Sequence, residues 1–320
     1  MAEPTRSAEE APPGRQATRP RRFTWRDWRA ILGRVWVAVG THHISIVAAG
    51  VGFFAVLAIF PAIGALIAFY GLVANPQNIL SSLDAAEAVL PRDVHGMIAA
   101  QVQALIDAPQ SALGVTWALG LGATLWTARM GVGGLMEGLN VVYGEVDDRP
   151  IWRQYLLSLV LTLMTLALAI VALIAVVALP ALLRFSDIGP AGAFLARTTP
   201  FVVLGGAAAL GIGAFYRFGP HRAPARVRWL SWGAVAATLA WVAVSMALSV
   251  YFGRFADLNR TYGAIGAVAG LLLWLYASAF VVLLGAELNA QMELQTEKDT
   301  TTGRPKPMGS RGAYVADHVA

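Results

Sequence analysis

Residues 44–72 read ISIVAAGVGFFAVLAIFPAIGALIAFYGL, without a single charged side chain. A helix needs about 20 mostly apolar residues to cross a bilayer, and a surface helix of a soluble protein keeps a polar face that this run lacks. The stretch therefore predicts a membrane span. Pro61 stands at its middle, where a proline removes a backbone donor and is expected to break the helix.

The composition extends that reading to the whole chain of 320 residues. It is 57% hydrophobic, with a mean hydropathy of +0.59 and 13% charged residues, where soluble domains carry roughly 25%. No cysteine is present, so disulfides, thiolate nucleophiles and cysteine metal sites are excluded. The net charge of +5 is spread through loops rather than gathered in one patch, which argues against a nucleic-acid partner.

Five further candidate spans follow the first: 111–128, 155–183, 201–216, 232–252 and 265–284. The segments 111–128 and 201–216 are short and carry small residues at every fourth position: Gly114, Ala118 and Gly122, then Gly205, Ala209 and Gly213. Such stripes let helix backbones approach closely in lipid, so both segments are expected inside the bundle, and Gly266 and Gly270 suggest the same for the last helix. With six crossings and both ends on one side, 19 of the 24 Lys and Arg residues fall on that side, which reads as cytoplasmic by the positive-inside rule. The bias survives if the two weak segments fail to cross, so charge alone leaves four or six spans open.

Outside the spans, residues 1–24 have almost no large apolar residue and are expected to be a disordered cytoplasmic tail, as are residues 294–320. The membrane domain is then 25–293. FTWRDWRAILGRVWVAV (23–39) interleaves tryptophan and arginine at helical spacing, as an interfacial helix does. Residues 78–106, interrupted at Pro91, put Val94, Met97, Ile98, Val102, Leu105 and Ile106 on one face and read as an amphipathic cap on the outer surface. The expected fold is thus all-α: a polytopic protein of six transmembrane helices, an N-terminal interfacial helix and an outer-face helical cap.

LWTARMGVGGLMEGLNVVYGE (125–145) poses a separate question, because glycines beside a positive charge can cradle phosphate. Met136 occupies the third glycine position of a dinucleotide fingerprint, and no lysine follows Gly138 as a phosphate-binding loop requires. Val132, Leu135, Met136, Leu139 and Val142 keep helical spacing, so the segment reads as a short amphipathic helix along the inner surface, entered through Arg129. No spacing of His and carboxylates matches a metal hydrolase, and no G-x-S-x-G occurs. No cofactor, metal or catalytic residue is expected. Ionisable groups at the bilayer edge remain: Arg129, and Glu287 with Asn289 in LLGAELNAQ. Either Arg129 pairs with Glu287 at the inner mouth, or each marks a helix end among headgroups.

Four phrases together resemble the YihY/BrkB-type inner-membrane proteins, long labelled ribonuclease BN-like. They are AAGVGFFAVLAIFPAIGALIAFYGL (48–72), LWTARMGVGGLMEGLNVVYG (125–144), YRFGP (216–220) and NRTYGAIGAVAGLLLWLYASAFVVLLGAELNA (259–290). Their order and spacing cover residues 30 to 290. The resemblance implies a multi-pass bacterial inner-membrane protein with six spans and both termini cytoplasmic. Within these phrases stand the candidate polar-cluster and motif positions Pro61, Arg129, Asn140, Tyr262, Glu287 and Asn289. The expected function is transporter-like or envelope-supporting, handling a lipid or other amphiphile, with the bilayer as partner. A membrane scaffold is the alternative, and a membrane-bound ribonuclease the reading from another class.

Overall fold

The computed structural model describes residues 14–73, 110–185, 189–254 and 256–320. The cap expected over 78–106 lies outside them. Among the described residues the secondary structure is helical, with a short 3-10 turn at Pro20–Arg22 and one isolated antiparallel bridge between Ala225 and Thr301.

The helices are α1 (Trp25–Thr41), α2 (Ile44–Val73), α3 (Gln110–Tyr143), α4 (Ile151–Phe185), α5 (Gly189–Phe218), α6 (Val227–Arg254), α7 (Ala256–Glu293) and α8 (Tyr314–Asp317). Three stretches are long and apolar enough to cross a membrane: Ile151–Ala172, Val227–Phe252 and Val268–Glu293. A fourth forms if α1 and Ile44–Ile59, bent by 62°, are counted as one span. Only 11% of the α6 stretch is buried within the chain, and Val235, Leu239, Val242, Met246 and Val250 lie exposed along it. An apolar face of that length meets lipid rather than water.

Two expectations about helix shape are corrected. α2 runs unbroken across Pro61, and the bend falls instead at residues 42–43, where His43 has φ 49°. α3 likewise continues through Arg129 to Tyr143, so 129–143 is no separate surface helix. Its face of Leu135, Met136, Leu139 and Val142 is buried in the bundle core. The glycine-rich text serves close helix approach there: a Cβ on Gly138 would lie 2.7 Å from Val47 and 3.0 Å from Leu283. The helix then ends in a Schellman turn, Gly144 at φ 67° letting Glu145 N–H donate to the Asn140 carbonyl.

α2 packs on α3 and α7, α6 on α7, and α4 on α5. The stripes expected in α3 and α5 do not make these contacts, since a Cβ on Gly122, Gly205 or Gly213 would meet nothing within 4 Å, whereas a Cβ on Gly270 of α7 would lie 2.9 Å from Phe252 of α6. Among the described glycines the closest approach is α6 on α7, where a Cβ on Gly233 would fall 2.1 Å from the Gly285 carbonyl oxygen.

The C-terminal tail, expected to be disordered, is folded. Thr296 donates to the Ala17 carbonyl, Arg226 N–H to the Thr300 carbonyl, Ala223 N–H to the Gly312 carbonyl and Tyr314 N–H to Glu145. Low apolar content misled the reading because this segment builds no core of its own; its backbone is satisfied by the α3–α4 and α5–α6 loops and by residues 15–17. Asp317 organises the last turn by accepting from the backbone N–H groups of Gly309, Arg311 and Gly312. Burial alone would raise this carboxyl, but those donors outweigh it and hold it below the ordinary value. A depressed native pKa adds stability above the unfolded value and loses it as pH falls through the native one. The tail should therefore loosen in acid, below about pH 4. Pepsin cleavage within 309–320 should rise there, and Asp317→Ala should show the same cleavage where the wild-type tail is still protected.

Candidate functional site

The described core gathers at the end of the bundle where both termini meet, and the last turns of α7 carry the polar groups of that end. Glu287, Asn289, Gln291 and Glu293 are all buried. On a helix, residues four apart share a face, so the alternation in ELNAQME sorts into two stripes. One, Glu287 and Gln291 with Gln295 beyond the helix, meets α1. The other, Asn289 and Glu293, meets α6 and the α5–α6 loop.

Along the first stripe α1 runs antiparallel to α7. Gln295 donates to Asp27 Oδ1 at 3.0 Å, Arg34 reaches Gln291 Oε1 at 3.0 Å and Gln295 Oε1 at 2.7 Å, and His42 Nδ1 meets Glu287 Oε1. Asp27 also closes a capping box with Thr24, which starts α1. The buried seam Asp27, Ile31, Val35 and Ala38 faces α7, while Trp25 and Trp36 point outward.

Along the second stripe Asn289 accepts from Gly233 N–H at 2.8 Å and donates to the Leu230 carbonyl at 3.2 Å. Glu293 takes both guanidinium nitrogens of Arg222, at 3.1 and 2.7 Å, and the Thr300 hydroxyl at 2.5 Å. Burial would lower the Arg222 pKa, but Glu293 more than compensates and raises it. The same guanidinium lies 4.8 Å from the centre of the Tyr143 ring. Tyr216 donates to the Val282 carbonyl at 2.6 Å, which joins α5 to this face.

Asn140 belongs to the same end. Its Oδ1 accepts from His221 N–H at 2.7 Å and its Nδ2 donates to Asp147, whose carboxylate takes two nitrogens of Arg149. Burial raises the Asp147 carboxyl, yet these donors together leave it below its usual value.

Of the sequence candidates, Asn140, Glu287 and Asn289 thus come together at one end. Arg129 does not join them: its guanidinium lies over the rings of Trp126 and Tyr155, 4.6 and 4.1 Å from their centres, so the pairing with Glu287 is replaced by cation–π contacts. Trp126, Trp152, Tyr155 and Trp232 are exposed on helix segments, as in a headgroup-level aromatic belt, while Trp229 is buried among Phe23, Ile31 and Met292. Pro61 lies within α2 and Tyr262 within α7. His42, Arg222 and Glu293 were missed by sequence reasoning. The alternating polar residues of 287–293 were a visible signal for Glu293, but nothing in the loop text marks Arg222 as its partner.

A second feature is an open apolar pocket among the helices. Between α3, α4, α5, α6 and α7 is a cavity of about 380 Å3, lined by apolar side chains with Thr165 and Ser278 as the hydroxyls. Its wall includes Trp241, which donates to Ser278 at 3.0 Å, and Trp274, which donates to Ser245 at 3.0 Å. Among the described residues no three His, Asp or Glu gather to hold a metal ion.

The family model described as Virulence factor BrkB matches residues 35–309. A protein named putative ribonuclease-like protein YfkH, from Bacillus subtilis, is 28% identical over 180 residues, covering 53% of this chain and 63% of that protein. A UPF0761 membrane protein of Alteromonas mediterranea is 29% identical over 177 residues, covering 55% and 58%. One from Xanthomonas oryzae is 40% identical over 77 residues, covering 24% and 18%. The matched regions thus span less than two thirds of these relatives. No solved structure matches the chain.

Proposed function

This chain belongs to the virulence factor BrkB family of membrane proteins, and from that premise we propose that it handles an amphiphile within the bilayer, taking its hydrocarbon portion into the cavity among α3 to α7. The observation that carries this reading is the cavity itself. Its volume of about 380 Å3 falls in the range of small-molecule sites, and its lining is apolar, which suits an acyl or isoprenoid chain and not an ion or sugar. The polar groups are segregated to the end of the bundle, where a headgroup would remain. The proposed setting is a six-span fold in the inner membrane with both termini cytoplasmic, in keeping with the Lys and Arg distribution.

Arg129 lies over the Trp126 and Tyr155 rings and not beside Glu287, so no charge pair at the inner mouth supports a hydrophilic substrate. The enzyme reading draws on the old family label and on the name of the Bacillus relative, and is separated by assaying the purified protein on RNA with and without divalent metal.

The direct test reconstitutes the protein in liposomes carrying a headgroup-labelled phospholipid and follows its movement between leaflets. Wild type is expected to move the lipid faster than protein-free liposomes, and Ala208→Trp, which fills the cavity from α5, to bring the rate down to theirs. A wild-type rate equal to that of protein-free liposomes overturns lipid movement as the activity.

A further inference from the structure

Two buried glutamates six residues apart on α7 are treated in opposite ways. Glu293 has donors on both carboxylate oxygens, and its charged partner is an arginine, which does not give up its proton. Glu287 is also fully buried, but among the described residues its single partner is an imidazole on Oε1, and its Oε2 has no hydrogen-bond partner. A structural ion pair closes both oxygens, because a bare buried carboxylate oxygen is costly. The Glu287 arrangement is finished only when the carboxyl carries a proton or the imidazole is charged.

We propose that Glu287 is an exchangeable proton-binding site, loaded from the aqueous phase through His42, and that its occupancy sets how firmly the α1–α2 elbow is held on α7. His42 is suited to the relay. Its side chain is 30% exposed, and it lines an open groove with Arg34, Thr41 and Gln291. A proton taken up at Nε2 of the neutral ring makes an imidazolium. The Nδ1 proton then passes to Glu287 Oε1, leaving a neutral carboxyl and a neutral ring protonated at Nε2. Release runs the same steps in reverse, so one proton enters and one leaves with no other reactant.

The coupling follows from where His42 sits. It caps the C-terminus of α1 at the 62° bend into α2. With Glu287 ionised, the elbow is tied to α7 by a charge-assisted bond from the ring N–H; with the carboxyl protonated and the ring neutral, by an ordinary hydrogen bond about half as strong. The other groups that set the local field are Arg34 and Asp27 from α1, Tyr143 from α3, Tyr216 from α5, Arg228 from α6, Glu293 from α7, and Arg222 from the α5–α6 loop. Arg222 is paired with Glu293 and Arg34 is offset by Asp27, which leaves the imidazole as the partner of Glu287. The proposal does not depend on what fills the central cavity.

The test uses the full chain in lipid nanodiscs. Infrared difference spectra between about pH 5 and pH 9, the range in which imidazole titrates, should show a protonated-carboxyl band that is absent in Glu287→Gln and shifted in midpoint in His42→Gln. The chain has no cysteine, so Val37→Cys and Val235→Cys, both at exposed positions, can carry a spin-label pair reporting the distance from α1 to α6. That distance distribution should change with the same midpoint and become independent of pH in Glu287→Gln. A band that persists in Glu287→Gln, or a wild-type distance that does not respond to pH, overturns the site or its coupling respectively. Glu287→Gln keeps the shape and the acceptor for His42, and a size-exclusion profile matching wild type establishes that it is folded.

Discussion

Arg222→Met is expected to lower the unfolding free energy by about 3–5 kcal/mol, the cost of leaving a buried charge without its partner. The Arg222 and Glu293 side chains are 2% and 0% exposed, so water cannot screen the glutamate that remains. The loss would reach three parts of the chain at once. Arg222 comes from the α5–α6 loop and lies on the Tyr143 ring of α3, while Glu293 ends α7 and holds Thr300 of the tail. Denaturant titration in detergent measures the effect, and trypsin cleavage after Arg311, which is buried in the folded tail, should accelerate in parallel. The companion change Glu293→Leu in the Arg222→Met background should recover most of the loss, because an apolar pair of similar volume leaves no uncompensated charge. Stability unchanged in the single variant would mean that the pair is opened to water.

Gly233→Ala is expected to be the second most damaging substitution. Its Cβ would fall 2.1 Å from the Gly285 carbonyl oxygen and 2.5 Å from the Asn289 side chain. Backbone cannot swing aside as a side chain can, so the α6–α7 crossing must open. Overpacking typically costs 1–3 kcal/mol, and loss of the Asn289 bond to Gly233 N–H places this case at about 3 kcal/mol or above. Gly213→Ala is the control with the opposite sign. Nothing lies within 4 Å of its Cβ, and a helical glycine replaced by alanine gains up to about 1 kcal/mol of helix propensity. Thermal unfolding of the two variants should therefore move in opposite directions. Equal shifts would show that close approach at Gly233 is not what holds α6 on α7.

These two sites also show how a sequence stripe can mislead. Gly205, Ala209 and Gly213 have the spacing of a packing face, yet the close crossing uses single glycines at 233 and 285 on different helices. Spacing within one helix says that a neighbour can come near; it does not say which neighbour is there. The same limit applies to charge. Arg129 and Glu287 were both visible as ionisable groups at apolar-run ends, but their partners, the Trp126 and Tyr155 rings and His42, depend on how the helices are turned against one another.

Composition and run length by themselves determined that this is a helical membrane protein, because a bilayer demands long uncharged helices and tolerates few alternatives. The order of four phrases was enough to point to the family. Only the tertiary structure decided that 294–320 folds onto the loops, that α3 continues through the glycine-rich text, and that the polar residues of 287–293 divide between two faces. Each of these depends on contacts between segments far apart in the chain. Such contacts are set by backbone donors, ring faces and single-atom clearances that leave almost no periodic trace in the sequence.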